Sequence, residues 1–431
     1  MELAAFLMLA EMLFMLTVSP LGKISPSALL AGGWALVFML QSIFASDMKS
    51  SFLATLAIST ITLSFAAGEL IGCGGVRLKG FLQKRDTTST VCVNDGCAAA
   101  KGMKTYIKTL TVITMVGVVM QAYIMGLFEA RSFAELIILP GLARVETFTG
   151  ARPVPMYSKI GLLVSYSGVV VALAYYYLYR WRWWLLLPMI GVLLLGMAQA
   201  GRAGTIIVLL QVLITVYLKN VIELKRSAAR AIVNCTALPV VLMVAIFLGG
   251  QLFREGWRSA GSDDILRVIY SLRSYLFGGV SAFSYWINNF YDVGVLTLGK
   301  YSFSSLFNAL GIAAQEPGVY DQYLPIASNG DVTNLYTAYR SFIEDFSLYG
   351  ACIVYFLSGI AIAAVMRNFV KGKRVLVPLL IPLLSWLAFS PMYSATYFNS
   401  FLLSCVLPYF LVRRASRGQD GHNQRRLREL Q

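Results

Sequence analysis

Apolar stretches of about 20 residues recur along this chain from its first residues to about residue 412. A helix that long crosses a hydrocarbon core of roughly 30 Å. Helices satisfy their own backbone hydrogen bonds in lipid, so the stretches predict helices rather than strands. The in–out alternation that marks a transmembrane β-barrel is absent. Composition agrees: 58% of the 431 residues are hydrophobic and 13% charged, against about 25% charged in a soluble chain. Too few polar groups exist to cover a water-facing surface, so lipid is the expected solvent for most of the mass.

The expected fold is an all-α polytopic membrane protein of about 11 transmembrane helices with one large folded external loop. The spans are read at about 3–22, 27–45, 52–72, 106–128, 159–179, 184–201, 204–219, 231–250, 347–367, 375–391 and 395–412. Residues 1–250 then carry helices 1–8 with a cytoplasmic loop at 73–105; 251–346 is the large loop, 347–412 holds helices 9–11, and 413–431 is a basic tail. Met1-Glu2-Leu3 lacks the basic start of a signal peptide, so the first apolar run is expected to stay as a span.

Lys and Arg in short loops set orientation. Arg77, Lys79, Lys84, Arg85, Lys101 and Lys104 follow the third span, and Arg180, Arg182, Lys225, Arg226, Arg230, Arg367, Lys371, Lys373 and Arg374 fill later loops. With eleven spans all of these fall on one face, with the arginines of the tail. That face is expected to be cytoplasmic, the N-terminus external and the C-terminus internal. The net charge of +15 therefore reads as membrane topology and not as nucleic-acid binding. The tail, polar and Arg-rich, is expected to be mobile and to meet anionic lipid.

The loop at 251–346 is rich in aromatics, including Trp257, Tyr270, Tyr275, Phe277, Phe283, Tyr285, Trp286 and Phe290. Disordered segments are poor in aromatics, so it is expected to fold. The run from Tyr275 to Trp286 would stack on sugar rings or, more commonly, pack on the bundle. The six cysteines form no C-x-x-C pair, and with His422 as the single histidine no metal cluster is expected.

Arginines on the outer face break the positive-inside trend, and they are the candidates for chemistry. Arg202 sits in a glycine hinge, Gly201-Arg202-Ala203-Gly204, between two apolar runs. An ionisable residue there is a functional candidate; a snorkelling surface arginine is the plainer reading. Arg254 and Arg258, four apart, would share a helix face and fit a diphosphate, unless Glu255, Asp263 and Asp264 neutralise them. Tyr336, Arg340 and Glu344 recur at helical spacing, with Thr333 or Asn334 as the expected cap. Either this is a structural Arg–Glu pair, or Arg340 meets phosphate while Glu344 or Asp345 acts as base or orienting group. Glu11 lies within the first span, where a polar contact between helices is the default.

Three stretches carry a family resemblance. They are Gly201-Arg202-Ala203-Gly204, the run Tyr275 to Tyr285 with Gly278-Gly279, and Asn334-Leu335-Tyr336-Thr337-Ala338-Tyr339-Arg340 followed by Glu344-Asp345-Phe346 and Gly350. With the spans, they resemble the Wzy-type O-antigen polymerases, or oligosaccharide repeat unit polymerases. The resemblance implies a GT-C-like, metal-independent glycosyltransferase with no cofactor, on the periplasmic face of a bacterial inner membrane. Its partners would be undecaprenyl-diphosphate-linked oligosaccharides as donor and acceptor, the lipid bilayer and a chain-length regulator. Catalytic roles would fall on Arg202, Arg340, Glu344 and Asp345, and substrate contacts on Arg254, Arg258, Arg273, Tyr275 and Tyr336. O-antigen ligases share the layout but use a histidine in the large loop, whereas His422 lies in the tail. A flippase or transporter would explain the spans without needing so long a folded loop.

Overall fold

The computed structural model describes residues 2–48, 50–74, 98–132, 135, 139, 143, 146, 156–199, 203–223, 262–292, 295–313, 320, 322–327 and 330–429. Among them the chain is all-α, with twelve helices and one short strand pair. The helices are α1 (Glu2–Val18), α2 (Pro26–Phe44), α3 (Phe52–Gly72), α4 (Ala98–Ile124), α5 (Met156–Leu178) and α6 (Leu186–Ala198). They continue as α7 (Ala203–Leu218), α8 (Ser262–Asn289), α9 (Ser304–Ala309), α10 (Ala338–Val370), α11 (Val377–Phe389) and α12 (Asn399–Glu429). Strand β1 (Leu324–Pro325) pairs antiparallel with β2 (Val332–Thr333).

Six helical segments are long and apolar enough to cross a membrane: Pro26–Phe44, Phe52–Gly72, Ala98–Ile124, Lys159–Leu178, Ala203–Ile222 and Ala338–Val370. Leu3–Val18, Trp183–Ala198 and Arg374–Phe389 are shorter apolar helices. The chain is a multi-pass membrane protein. Its surface fits that solvent: Val112, Val116 and Val119 stay exposed on one face of α4, where lipid tails are as apolar as the side chains. The expected span at 231–250 lies outside the described residues. The polar tail beyond residue 413 continues α12 as helix to Glu429; its Gln, Arg, Leu and Glu residues are good helix formers.

The chain divides into two compact units. The first comprises Met1–Gln83, Gly261–Asn368 and Leu383–Asn399; the second comprises Lys84–Ala260, Phe369–Pro382 and Ser400–Gln431.

In the first unit a buried carboxylate organises the turn between α1 and α2. Glu69, on α3, accepts from Ser19 Oγ at 2.5 Å, Ser25 Oγ at 2.8 Å and the Ser27 backbone N–H at 2.7 Å. Ser25 also caps α2 by accepting from Ala28 N–H at 3.2 Å, with Pro26 as the first helical residue. Glu11 accepts from Ser59 of α3, a polar contact between helices. Helices α3 and α10 meet backbone to backbone. A Cβ on Gly68 would lie 2.0 Å from the Phe356 carbonyl oxygen, and one on Gly359 would lie 2.2 Å from that of Phe65. Small residues at such crossings let helices approach where no hydrophobic effect drives them together.

In the second unit α4 and α5 cross the same way, with a Cβ on Gly117 falling 2.6 Å from Gly161 Cα. Tyr175 packs its ring against Trp184 at 5.2 Å, joining α5 to the turn before α6.

Candidate functional site

Helix α10 is broken near its start. Ser347 has φ 65° and ψ 173°, a region that is essentially reserved for glycine and costs on the order of 1–3 kcal/mol. The break separates a short polar segment, 338–346, from the long apolar run that follows. It also strips the carbonyls of Glu344 and Asp345 of their helical partners. Those carbonyls are met from outside: Thr297 N–H reaches the Glu344 oxygen at 3.3 Å and Leu298 N–H the Asp345 oxygen at 3.0 Å. Past the break, Leu348 N–H donates to the Tyr291 hydroxyl at 3.3 Å.

Asp345 is fully buried. Its carboxylate accepts from Thr297 Oγ1 at 2.5 Å, Tyr301 N–H at 3.1 Å and Ser302 N–H at 2.6 Å. The far side of that loop is fastened too, since Thr396 Oγ1 donates to the Ser302 carbonyl at 2.7 Å and Asn399 Nδ2 to that of Ser305 at 2.9 Å. Asp345 is the peg that holds the loop at 297–302 on the broken end of α10.

One turn earlier, Arg340 is 3% exposed. Its Nε and Nη2 both donate to Glu344 Oε1, at 3.2 and 3.1 Å. Its guanidinium carbon lies 3.8 Å from the ring centres of both Tyr320 and Tyr336, and 5.1 Å from that of Trp286. A guanidinium between desolvated aromatic faces gains about 2 kcal/mol per contact at most favourable geometry. Tyr320 also stacks on Tyr301 at 4.9 Å and meets Tyr336 edge-on at 5.0 Å. The Tyr336 hydroxyl is fixed by donation to the Gln322 carbonyl at 2.9 Å.

Several polar atoms in this cage are buried and lack a hydrogen-bond partner: Arg340 Nη1, Glu344 Oε2, Thr337 Oγ1 and the Tyr320 hydroxyl. The Tyr320 phenol lies beside Glu344, close enough to feel its charge. Burial, reinforced by that charge, pushes the Tyr320 hydroxyl well above the usual phenol range, and it stays protonated. Glu344 is the accessible member of the group, its side chain 19% exposed.

Of the residues singled out from sequence, Tyr336, Arg340, Glu344 and Asp345 come together here. The expected cap is corrected. The helix starts at Ala338, because Val332–Thr333 is spent on strand pairing and Thr333 Oγ1 accepts from Leu335 N–H at 3.1 Å instead. Tyr336 thus precedes the helix and reaches Arg340 from an extended segment. Arg273, on α8, lies elsewhere: Asp47 holds its Nη1 and Nη2, each at 2.9 Å, and Asp331 lies 3.5 Å from Nη2. Tyr275 is half-buried on the same helix. Phe277, Phe283 and Trp286 of the aromatic run point into the core, whereas Tyr285 is exposed. Arg202, Arg254 and Arg258 lie outside the described residues. Sequence reasoning passed over Tyr320, the Thr297–Ser302 loop and Asp47. The aromatic neighbours of Arg340 were the available signal, but nothing in their spacing marks Tyr320.

Among the described residues, no three His, Cys, Asp or Glu side chains gather as a metal site. Comparison with protein-family models, curated proteins and solved structures finds no match to any of them.

Proposed function

We propose that the chain is a membrane glycosyltransferase that polymerises oligosaccharide repeat units carried on undecaprenyl diphosphate, on the periplasmic face of a bacterial inner membrane. The observation that carries this reading is the Arg340–Glu344 pair: buried, ringed by aromatics and set beside the strained break at the head of the longest apolar helix. A lipid-linked donor must reach its site sideways from the bilayer, so reacting groups belong at the membrane edge. Strain and open polar atoms concentrate where proteins do chemistry.

On this reading about eleven spans place the segment 251–346 outside. Glu344 is the acid–base group and Arg340 fixes its position and charge. The diphosphate leaving group falls to Arg202, Arg254 and Arg258, whose candidacy rests on sequence alone. Fixed guanidiniums there would oppose the charge that grows as the diphosphate departs. Asp345 acts through the loop it holds.

The test is a gene deletion complemented with Arg340→Ala, Glu344→Gln and Arg202→Ala, with lipopolysaccharide read on a gel. Loss of long chains with a single capped repeat unit remaining supports the polymerase. Loss of every repeat unit points to an O-antigen ligase or a flippase and overturns the reading. An unchanged ladder overturns it as well.

A further inference from the structure

We infer that the cage around Arg340 and Glu344 receives the sugar hydroxyl of the acceptor rather than the diphosphate of the donor, and that Tyr320 is the residue that orients it. The inference rests on the glycosyltransferase reading above.

The hydrogen-bonding inventory separates the two ligands. A diphosphate offers only acceptors and carries negative charge, so it needs a fork of donors. Arg340 turns its Nε–Nη2 edge to Glu344 Oε1, and the Tyr320 and Tyr336 rings crowd the guanidinium. Its Nη1 has no partner among the described residues. The carboxylate beside it would repel a phosphate. A sugar hydroxyl, in contrast, donates one proton and accepts others. Glu344 Oε2 is an open acceptor, Arg340 Nη1 an open donor, and the Tyr320 hydroxyl can do either. The rings of Trp286, Tyr320 and Tyr336 wall the cage and hold the guanidinium in place. Access runs from the side of Glu344, the member that keeps some exposure.

Tyr320 is suited to orient the hydroxyl because it stays protonated. Its phenol donates to the acceptor oxygen, which turns that oxygen's own hydrogen toward Glu344 Oε2. In the transfer, this oxygen forms a bond to the anomeric carbon of the donor. The anomeric carbon–oxygen bond to the diphosphate breaks, and the departing diphosphate oxygen keeps the electron pair. The acceptor proton passes to Glu344 and from there to water.

The experiment uses the full chain in lipid nanodiscs, with undecaprenyl-diphosphate-linked repeat units as donor. The acceptor is the same oligosaccharide freed from lipid by mild acid, and inorganic pyrophosphate is the inhibitor. The variant is Tyr320→Phe, which keeps the ring and removes the hydroxyl; its folding is checked by thermal unfolding against wild type. Losing one substrate hydrogen bond should raise the acceptor KM about tenfold and leave inhibition by pyrophosphate unchanged. An unchanged acceptor KM, or a weakened inhibition by pyrophosphate, overturns the inference while the polymerase reading stands. Should Tyr320→Phe fail to fold, Glu344→Gln is put to the same two readouts and must raise the acceptor KM or lower kcat without touching pyrophosphate. If wild type extends no glycan, Trp286 fluorescence is titrated with the free oligosaccharide. Saturable binding that Tyr320→Phe weakens keeps the sugar subsite and removes the polymerase; absence of binding overturns both.

Discussion

The Asp345 carboxylate takes the backbone N–H of Ser302 at 2.6 Å, and through that bond the broken end of α10 is tied to a loop more than a helix away in sequence. Removing the carboxylate strands three donors, from Thr297, Tyr301 and Ser302, inside the protein. An unsatisfied buried polar group costs about 1–3 kcal/mol. Asp345→Ala should therefore lower stability by about 3 kcal/mol or more, and Asp345→Asn by somewhat less, since one oxygen survives. Thermal unfolding in nanodiscs measures this. Activity of either variant should fall with the folded fraction and not beyond it; a folded Asp345→Asn without activity would give the residue a direct part in the chemistry.

The spans were legible because lipid imposes one requirement, an unbroken apolar helix, and residues 52–72 or 27–45 state it in the sequence itself. The Arg340–Glu344 pair was legible for a similar reason: four-residue spacing is a local property of helices. Tyr320, Asp47 and the loop at 297–302 were not, because their contacts to Arg340, Arg273 and Asp345 are tertiary. No periodicity marks a tyrosine that will lie on a distant guanidinium. The break at Ser347 was hidden as well, since serine is not the residue type that announces a positive φ.

Gly68 and Gly33 make a matched pair. A Cβ on Gly68 would press to 2.0 Å on the Phe356 carbonyl, while one on Gly33 meets nothing within 4 Å. Gly68→Ala must push α3 from α10, at a cost of about 2 kcal/mol or more. Gly33→Ala, in the interior of α2, should stabilise by about 0.5–1 kcal/mol through lost backbone freedom in the unfolded chain. Expression level and unfolding temperature of the two single variants check the contrast; equal effects would mean the α3–α10 contact is not this close.

Ser347 has two opposing roles. Its φ of 65° is strained, yet its Oγ accepts from Gly350 N–H at 3.4 Å. Glycine relieves the strain and loses only a weak cap, so Ser347→Gly should gain about 1 kcal/mol. Ser347→Ala keeps the strain and loses the cap, so it should be the least stable of the three. The order Gly, Ser, Ala in unfolding temperature is the outcome to look for. If the strain positions Glu344, the more stable glycine variant should also be the slower enzyme.

Arg273 tests whether pairing or substrate holds it. Asp47 grips both of its Nη atoms at 2.9 Å, and the same segment donates Ser51 N–H to Ser284 Oγ at 3.1 Å, so the link docks the turn between α2 and α3 onto α8. With side chains 16% and 32% exposed, the pair should couple by about 1 kcal/mol. In a double-mutant cycle Arg273→Ala and Asp47→Ala should then be sub-additive for stability. Activity lost in Arg273→Ala but kept in Asp47→Ala would instead assign the guanidinium to substrate.

Arg340→Lys separates the geometry of the site from its charge. Lysine keeps the positive charge but cannot donate twice to Glu344 Oε1 from a fixed plane, nor lie flat against two tyrosine rings whose centres are each 3.8 Å from the guanidinium carbon. Glu344 would lose its orientation and the cage its central plate. The expected outcome is a fall in kcat of about a hundredfold, equivalent to about 2.7 kcal/mol, with the acceptor KM changed less. Arg340→Met fills part of the volume without charge and should fold, but leaves Glu344 without its partner. If charge alone mattered, lysine would retain activity and methionine would lose it. If the held geometry matters, the two fall together, and single-turnover kinetics on both variants decides between these.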